Sequence, residues 1–198
     1  MNIYPLHSSP IFTTELNIDT KKVLKAVADT KFHHIYKNST INQGSASLYW
    51  LDDYDDLKKA LELEVNKYTK DTLHYVNKFK ITTSWVTKTD KNQGSRFHNH
   101  RNCMFSAIWY IQADEDSGHI EFTHFNDGRY DLKIKESNIW NATQFDFPVA
   151  KNMLMIFPSH LYHRIMPSKK TKTTRYSLAF NLIPDGLIGD RMNDSHHY

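Results

Sequence analysis

The first third of the chain carries apolar residues at the spacing of amphipathic helices. Asp19 and Thr20 can cap a helix over residues 21–28, where apolar positions recur at helical intervals. A second helix is predicted from about Asp52 to Tyr75, and the acidic residues in its first turn favour the positive end of the helix dipole. Its apolar stripe, at steps of three and four, consists of Tyr54, Leu57, Leu61, Val65 and Tyr68. Both helices are predicted to cover a sheet.

From Lys78 onward the pattern changes to short β-rich runs separated by turn residues such as Asn126-Asp127-Gly128. The predicted strands are Phe79–Thr87, Arg96–His100, Met104–Gln112, His119–Thr123, Asn152–Phe157, Leu161–Met166 and Arg175–Leu182. Many short strands at this spacing favour a β-sandwich or barrel, and a jelly roll is the natural candidate. We therefore expect a mainly β fold with N-terminal helices. Loops 125–138 and 141–148 are expected to shape the entrance to its interior.

The last predicted strand has two distinct faces. One carries Arg175, Ser177, Ala179 and Asn181, and the other carries Tyr176, Leu178, Phe180 and Leu182. We expect the apolar face to pack beneath the helices and the polar face to line the interior, where a polar lining normally serves a ligand. A turn centred near Lys169 would place His163 across from Arg175 on neighbouring antiparallel strands.

Length and composition favour one globular domain. The chain has 198 residues, of which 39% are hydrophobic, and this length suffices for a single substantial core. The predicted domain spans residues 1–183, with helical support over 1–77, a jelly-roll core over 78–183 and a polar tail over 184–198. The single cysteine excludes an intrachain disulfide. Neither a secretory signal nor a membrane-length apolar run is evident, so a cytoplasmic protein is expected.

The charge gives little indication of a macromolecular partner. A formal net charge of +3 does not by itself indicate a nucleic-acid binder. The densest basic stretch, Lys169–Lys172, is interpreted as a solvated hairpin tip. His196 and His197 lie in the polar tail and receive no functional weight. The oligomeric state cannot be inferred from the sequence.

Three histidines form the first candidate constellation. His98 and His100 are two residues apart, so on a strand both side chains point to one face and can reach one metal ion. His163, from a distant strand, would complete a facial set of three neutral imidazoles, which suits Fe(II) and leaves positions open for substrates. His160 competes with His163, but His163 follows the turn and lies on a strand, so we select His163.

A second constellation fits a carboxylate beside that metal. Arg175 and Ser177 share a face, and a guanidinium with a hydroxyl can hold a carboxylate of a dicarboxylic co-substrate through several hydrogen bonds. Tyr110 is a further candidate, because a phenol inside a polar barrel can donate to the same co-substrate. Trp85, Trp109 and Phe180 are interpreted as core residues.

These residues together resemble the 2-oxoglutarate- and Fe(II)-dependent oxygenases, in the branch distantly similar to prolyl hydroxylases. The resemblance reaches from Pro10-Ile11-Phe12 to the last strand and so spans nearly the whole chain. The segments that carry it are Ser84–Val86, His98–His100, Phe105–Ile111, Ser117–Phe122, Phe157–His163 and Arg175–Asn181. Two positions differ mildly from the family pattern: Ala107 stands where glycine is expected, and Arg101 stands where proline is common.

The resemblance implies a double-stranded β-helix with helices packed on one side. It implies that His98, His100 and His163 bind iron and that Arg175 and Ser177 hold the distal carboxylate of 2-oxoglutarate. Most relatives carry a carboxylate where His100 stands, and water or a carboxylate such as Glu121 would fill this position if His100 is not a ligand. The implied reaction consumes dioxygen and 2-oxoglutarate, releases succinate and carbon dioxide, and hydroxylates a substrate.

Two other function classes remain open from the sequence. A cupin-type metalloprotein, either an isomerase or a dioxygenase independent of 2-oxoglutarate, fits the histidines but gives Arg175 and Ser177 no role. A non-catalytic binding module that keeps the fold is the other alternative. The prime substrate is not named by the sequence, and both small molecules and peptidyl groups are compatible with it.

Overall fold

The computed structural model describes residues 8–35, 39–123 and 132–189. The predicted turn at Asn126–Gly128, the histidines at 196–197 and the last residues of the predicted tail lie outside these ranges. The described part contains two α-helices and ten strands. It contains no helix that is both long and apolar enough to cross a membrane.

Both predicted helices are present. Helix α1 spans Thr20–Ala28, and the Asp19 carboxylate caps it by accepting a hydrogen bond from the Lys21 amide at 3.0 Å. A short 3-10 helix, Trp50–Asp53, leads into helix α2, which spans Asp55–Asp71. Helix α2 ends before the predicted Tyr75, because His74 adopts a left-handed backbone conformation with φ of 56°.

Ten strands form two antiparallel sheets. They are β1 Phe12–Glu15, β2 Phe32–His34, β3 Gln43–Ser45, β4 Lys78–Thr89, β5 Phe105–Gln112, β6 His119–Thr123, β7 Gln144–Pro148, β8 Met153–Pro158, β9 Tyr162–Ile165 and β10 Arg175–Asp185. The large sheet has the order β1-β8-β5-β10-β4-β3-β2, and the small sheet has the order β7-β6-β9. The prediction of a mainly β fold with N-terminal helices is confirmed.

The two sheets enclose an interior that is separate from the helix-facing core. Leu178, Phe180 and Leu182 of β10 pack with helix residues such as Leu61 and Val65 in one apolar cluster. Ala179 of β10 belongs to a second cluster between the sheets, with Tyr110 of β5 and Phe122 of β6. The predicted division of the last strand into a helix-facing side and an interior side is therefore confirmed.

Several details of the predicted topology are wrong. Arg96–His100 does not form a strand, and pairs with β9 only through a single bridge between His98 and His163. Strands β1, β2 and β3 were not predicted, and β7 lies where a loop was expected. Strand β10 continues to Asp185, beyond the predicted end at Leu182.

The predicted hairpin between the last two strands is also wrong. Strand β9 pairs with β6 in the small sheet, whereas β10 lies between β5 and β4 in the large sheet. His163 is therefore opposite Phe122, and Arg175 is opposite Thr89. The chain crosses from one sheet to the other between Met166 and Thr174, so His163 and Arg175 enter the interior from different sheets.

Candidate metal centre

The structure brings His98, His100 and His163 together between the sheets. One ring nitrogen from each lies within 4.8 Å of the others. The backbones of His98 and His163 exchange two hydrogen bonds, of 3.0 and 2.9 Å, and the His100 amide donates to the Ser159 carbonyl at 3.0 Å. These bonds fix the segment that carries His98 and His100 alongside β9, so that it places both imidazoles toward His163 without forming a regular strand.

Burial keeps two of the three imidazoles neutral. It lowers the pKa of His163 from 6.5 to about 3 and that of His100 to about 4, and in each case the neighbouring His98 lowers the pKa further. His163 is only 3% exposed. Near neutral pH both rings therefore keep a lone pair on one nitrogen, which is the state that a metal ion requires.

Backbone carbonyls orient two of the rings. Nδ1 of His98 is 2.9 Å from the Arg96 carbonyl oxygen, and Nδ1 of His163 is 3.0 Å from the Leu161 carbonyl oxygen. A carbonyl oxygen can only accept, so each Nδ1 carries a proton and Nε2 is the ring nitrogen left to face a metal ion. This is the usual arrangement of metal-binding histidines, whose second nitrogen donates to a carbonyl or carboxylate.

Two competing residues lie outside this group. His160 is exposed and is not among the three converging histidines. Glu121 is buried; its Oε2 accepts a hydrogen bond of 3.0 Å from Nη2 of Arg164, and its Oε1 has no hydrogen-bond partner. No carboxylate belongs to the histidine group within the described ranges.

Arg175 is a buried cation with unused hydrogen-bond donors. Its side chain is 1% exposed, and Nη1 donates to the Ser117 carbonyl at 3.0 Å. Nε and Nη2 are buried without a partner, and no described carboxylate forms an ion pair with this guanidinium. Burial lowers the pKa of Arg175, yet an arginine keeps its charge in proteins. An uncompensated charge of this kind is costly unless an anion binds to it.

Ser177 and Tyr110 are neighbours in the same region. They face each other across β10 and β5, and both line the cavity that also contains the three histidines. The Arg175 guanidinium carbon lies 5.9 Å from the centre of the Tyr110 ring. Burial raises the pKa of Tyr110 to about 12, so the phenol stays protonated and can donate a hydrogen bond.

The lining of the cavity also contains residues to which the sequence analysis gave no functional role. Trp85 packs against the second apolar cluster, as expected of a core residue, but it also lines the cavity, and its ring lies 5.5 Å from the His100 ring. Asn42 lines the same cavity beside Ile35, and its Oδ1 is buried without a hydrogen-bond partner. Asn42 follows β2 in an irregular segment without periodicity or motif, so no sequence signal indicates its position.

One protein family matches the chain over half of its length. A family model described as "Putative 2OG-Fe(II) oxygenase" matches residues 83–181, which make up half of the chain. This stretch contains the three histidines, Tyr110, Arg175 and Ser177. A search of curated proteins finds no match.

Solved structures show the same fold at low sequence identity. A prolyl-4-hydroxylase from Pseudomonas putida is 13% identical, with a TM-score of 0.56 over 90% of this chain and 95% of that one. HygX from Streptomyces hygroscopicus, solved with nickel and 2-oxoglutarate, is 9% identical, with a TM-score of 0.59 over 89% and 83%. SnoK, an alpha-ketoglutarate-dependent carbocyclase from nogalamycin biosynthesis, is 8% identical, with a TM-score of 0.64 over 90% and 81%.

Proposed function

The chain belongs to the 2OG-Fe(II) oxygenase family, whose cofactors are Fe(II) and 2-oxoglutarate, and on this basis we propose that it is a dioxygenase that hydroxylates its substrate and releases succinate and carbon dioxide. The observation that carries the proposal is the combination of three converging imidazoles with a buried guanidinium that lacks a counter-ion. We take the two facing sheets to be a double-stranded β-helix, a form of jelly roll.

The histidines suit Fe(II). His98, His100 and His163 would hold the ion through three nitrogens, with His100 in the position where a carboxylate is more usual in such sites. The neutral rings of His100 and His163, and the carbonyl bonds of His98 and His163, support these roles. Bound Fe(II) would supply coordination positions for 2-oxoglutarate and dioxygen, and hence the oxidative chemistry.

Arg175 suits the distal carboxylate of 2-oxoglutarate. Its free Nε and Nη2 can donate two hydrogen bonds to one carboxylate, while Nη1 stays with the Ser117 carbonyl. The hydroxyl groups of Ser177 and Tyr110 would add donors from the two strands that flank the cavity. These residues bind and orient the co-substrate and take up no proton, because arginine and a phenol with a pKa of about 12 do not change charge at neutral pH.

The wall formed by Trp85, Ile35 and Asn42 would face the prime substrate. It lines the cavity next to His98 and His100. Its side chains are uncharged, so they suit an uncharged group of a small molecule or a peptide, with the free Asn42 Oδ1 as a hydrogen-bond acceptor. In a hydroxylation the product contains an additional oxygen atom, whereas in a cyclisation it does not. Analysis of the product therefore distinguishes the two reactions.

An anaerobic titration tests the proposal. Purified protein receives Fe(II) and then 2-oxoglutarate, while the visible charge-transfer absorption is followed. An absorption band that requires both, and that fades on admission of oxygen as succinate appears, would support the proposal. Iron binding without such a band would favour a cupin-type metalloprotein, and no iron binding would leave a binding module. Arg175→Ala serves as the matched variant, expected to bind Fe(II) and to need far more 2-oxoglutarate.

A further inference from the structure

Asp114, outside the cavity, gathers an unusual number of hydrogen-bond donors. It lies in the turn between β5 and β6, and its carboxylate is within 2.9 to 3.1 Å of six donor groups. The donors are the amides of Asp116, Lys172 and Thr173 and the hydroxyls of Ser117, Thr171 and Thr173. Partial burial alone would raise the pKa of Asp114, but these bonds outweigh it and lower the pKa, so the carboxylate is ionised at neutral pH.

The donors come from two separate segments, and each segment leads to Arg175. Residues 171–173 run directly into β10, where Arg175 is the first residue. Ser117 is in the same turn as Asp114, and its carbonyl accepts the hydrogen bond from Nη1 of Arg175. Asp114 therefore connects the backbone just before Arg175 to the residue that holds the end of its side chain.

The amide and the hydroxyl of Ser117 are both hydrogen-bonded to Asp114. The Ser117 amide donates to the Asp114 carbonyl at 3.1 Å, and the Ser117 hydroxyl accepts from the Asp114 amide at 2.7 Å. The same hydroxyl lies 2.9 Å from Oδ1 of Asp114. With the turn fixed in this way, Nη1 of the guanidinium is committed to the carbonyl, and the nitrogens Nε and Nη2 are left for a ligand.

We propose that Asp114 is a positioning residue for the co-substrate, which orients Arg175 through the Ser117 carbonyl and through residues 171–173 without touching 2-oxoglutarate. The inference rests on the proposed role of Arg175. It adds that the affinity for a distal carboxylate depends on a carboxylate outside the cavity. A 2-oxo acid without a distal carboxylate, such as pyruvate, should not depend on Asp114.

The test compares Asp114→Asn with a matched control. Glu115→Gln removes one negative charge from the same turn, at an exposed side chain. Each protein is loaded with Fe(II) under anaerobic conditions and titrated with 2-oxoglutarate and with pyruvate, and the charge-transfer band gives each Kd. We expect Asp114→Asn to raise the Kd for 2-oxoglutarate by about 3- to 10-fold, the size of one ordinary hydrogen bond, and the Kd for pyruvate by less than about 2-fold. Glu115→Gln should change neither.

A double-mutant cycle separates positioning from general damage. If Asp114 acts through Arg175, Asp114→Asn should weaken 2-oxoglutarate binding no further in an Arg175→Ala background. Equal weakening of 2-oxoglutarate and pyruvate, additive effects in the double variant, or the same effect in Glu115→Gln would overturn the inference. If Asp114→Asn does not fold, Thr173→Val removes one donor hydroxyl from the network and should raise the Kd for 2-oxoglutarate alone by about 2-fold.

The same measurements distinguish this inference from the proposed function. If Arg175→Ala binds 2-oxoglutarate as tightly as the wild type, the proposed role of Arg175 is wrong, and the inference is overturned with it. If Arg175→Ala weakens binding but Asp114→Asn does not, the proposed function stands and only the positioning role of Asp114 is overturned.

Discussion

At the scale of single residues, His163 is almost completely buried although its ring is polar. Each of its two ring nitrogens therefore needs a partner. The Leu161 carbonyl satisfies Nδ1, and Nε2 is left for a metal ion. His160, three residues earlier, is exposed and lies outside the histidine group. The two residues therefore form a matched pair for a mutational test.

We expect His163→Ala to weaken Fe(II) binding by about 100-fold or more, because it removes one of three ligands. Mutation of residues that only support metal ligands already lowers metal affinity by about 10- to 100-fold. His160→Ala should change Fe(II) affinity by less than about 2-fold, as for an ordinary surface substitution. Anaerobic equilibrium dialysis measures both, and circular dichroism checks the fold. The reverse order of the two effects would show that the ligand was assigned to the wrong histidine.

The lowered pKa of His163 also predicts how the metal-free protein responds to acid. The folded state binds this proton only near pH 3, whereas the unfolded chain binds it near pH 6.5. The unfolded state therefore binds more protons between these values, so stability is complete above about pH 6.5 and falls as the pH falls. From pH 7.5 to pH 5 this one group should lower the free energy of unfolding by about 2 kcal/mol.

Urea unfolding in the presence of EDTA at the two pH values measures this loss. In His163→Asn, whose side chain cannot titrate, the free energy of unfolding should fall by about 2 kcal/mol less between these pH values than in the wild type. His160→Asn is the control and should keep the full drop. An unchanged pH dependence in His163→Asn would mean that the His163 ring is not desolvated in the metal-free protein.

At the scale of elements, the two faces of strand β10 are expected to serve different purposes, one stability and the other ligand binding. Leu178 is fully buried and faces the helices, whereas Ser177, its neighbour in sequence, lines the cavity. Leu178→Ala should lower the free energy of unfolding by about 2–5 kcal/mol, because it leaves a cavity in the core, with 2-oxoglutarate affinity changed by less than about 2-fold. Ser177→Ala should weaken 2-oxoglutarate binding by about 3- to 10-fold, at a stability cost below about 1 kcal/mol.

Urea unfolding and the 2-oxoglutarate titration are carried out on both variants. A loss of co-substrate affinity in Leu178→Ala that matches the loss in Ser177→Ala would mean that the two faces of the strand are not independent. The division would then describe the packing of β10 but not its energetics.

The sequence predicts the faces of such strands better than their partners. Alternation along β10 identifies both faces, and helical spacing identifies α1 and α2, because these periods reflect local geometry. The partner of β9 is determined by the long connection from Met166 to Thr174, whose course depends on distant contacts such as those of Asp114. Strand β7 is mostly exposed, so it shows little of the alternation by which a half-buried strand is recognised.

The candidate site likewise contains residues that local sequence patterns identify and residues that they do not. The sequence brought His98, His100 and His163 into one hypothesis because each fits a motif, and the structure places them together. Asn42 and Asp114 could not be found in this way. The role proposed for each depends on where the fold places it, and a single Asn or Asp outside helices and strands has no distinguishing pattern.

At the scale of the whole molecule, the proposed site joins three parts of the chain. His98 and His100 come from the segment before β5, His163 comes from the small sheet, and Arg175 comes from the large sheet. The approach of the first segment to β9 is close, since a Cβ atom on Gly94 would lie 2.6 Å from the Ile165 carbonyl oxygen. Ligands that bind among these parts should stabilise the molecule as a whole, because the separated parts would bind them poorly.

Because binding and folding are linked in this way, each ligand should raise the thermal stability of the protein. A ligand present at 100 times its Kd stabilises the folded state by about 2.7 kcal/mol if the unfolded chain does not bind it. Under anaerobic conditions Fe(II) should therefore raise the Tm, and 2-oxoglutarate added with Fe(II) should raise it again. Arg175→Ala, at the same ligand concentrations, should keep the increment from Fe(II) and lose most of that from 2-oxoglutarate, whereas His163→Ala should lose both. If Arg175→Ala instead loses the Fe(II) increment, this residue supports the fold around the metal, and the division of the site into metal-binding and carboxylate-binding parts is wrong.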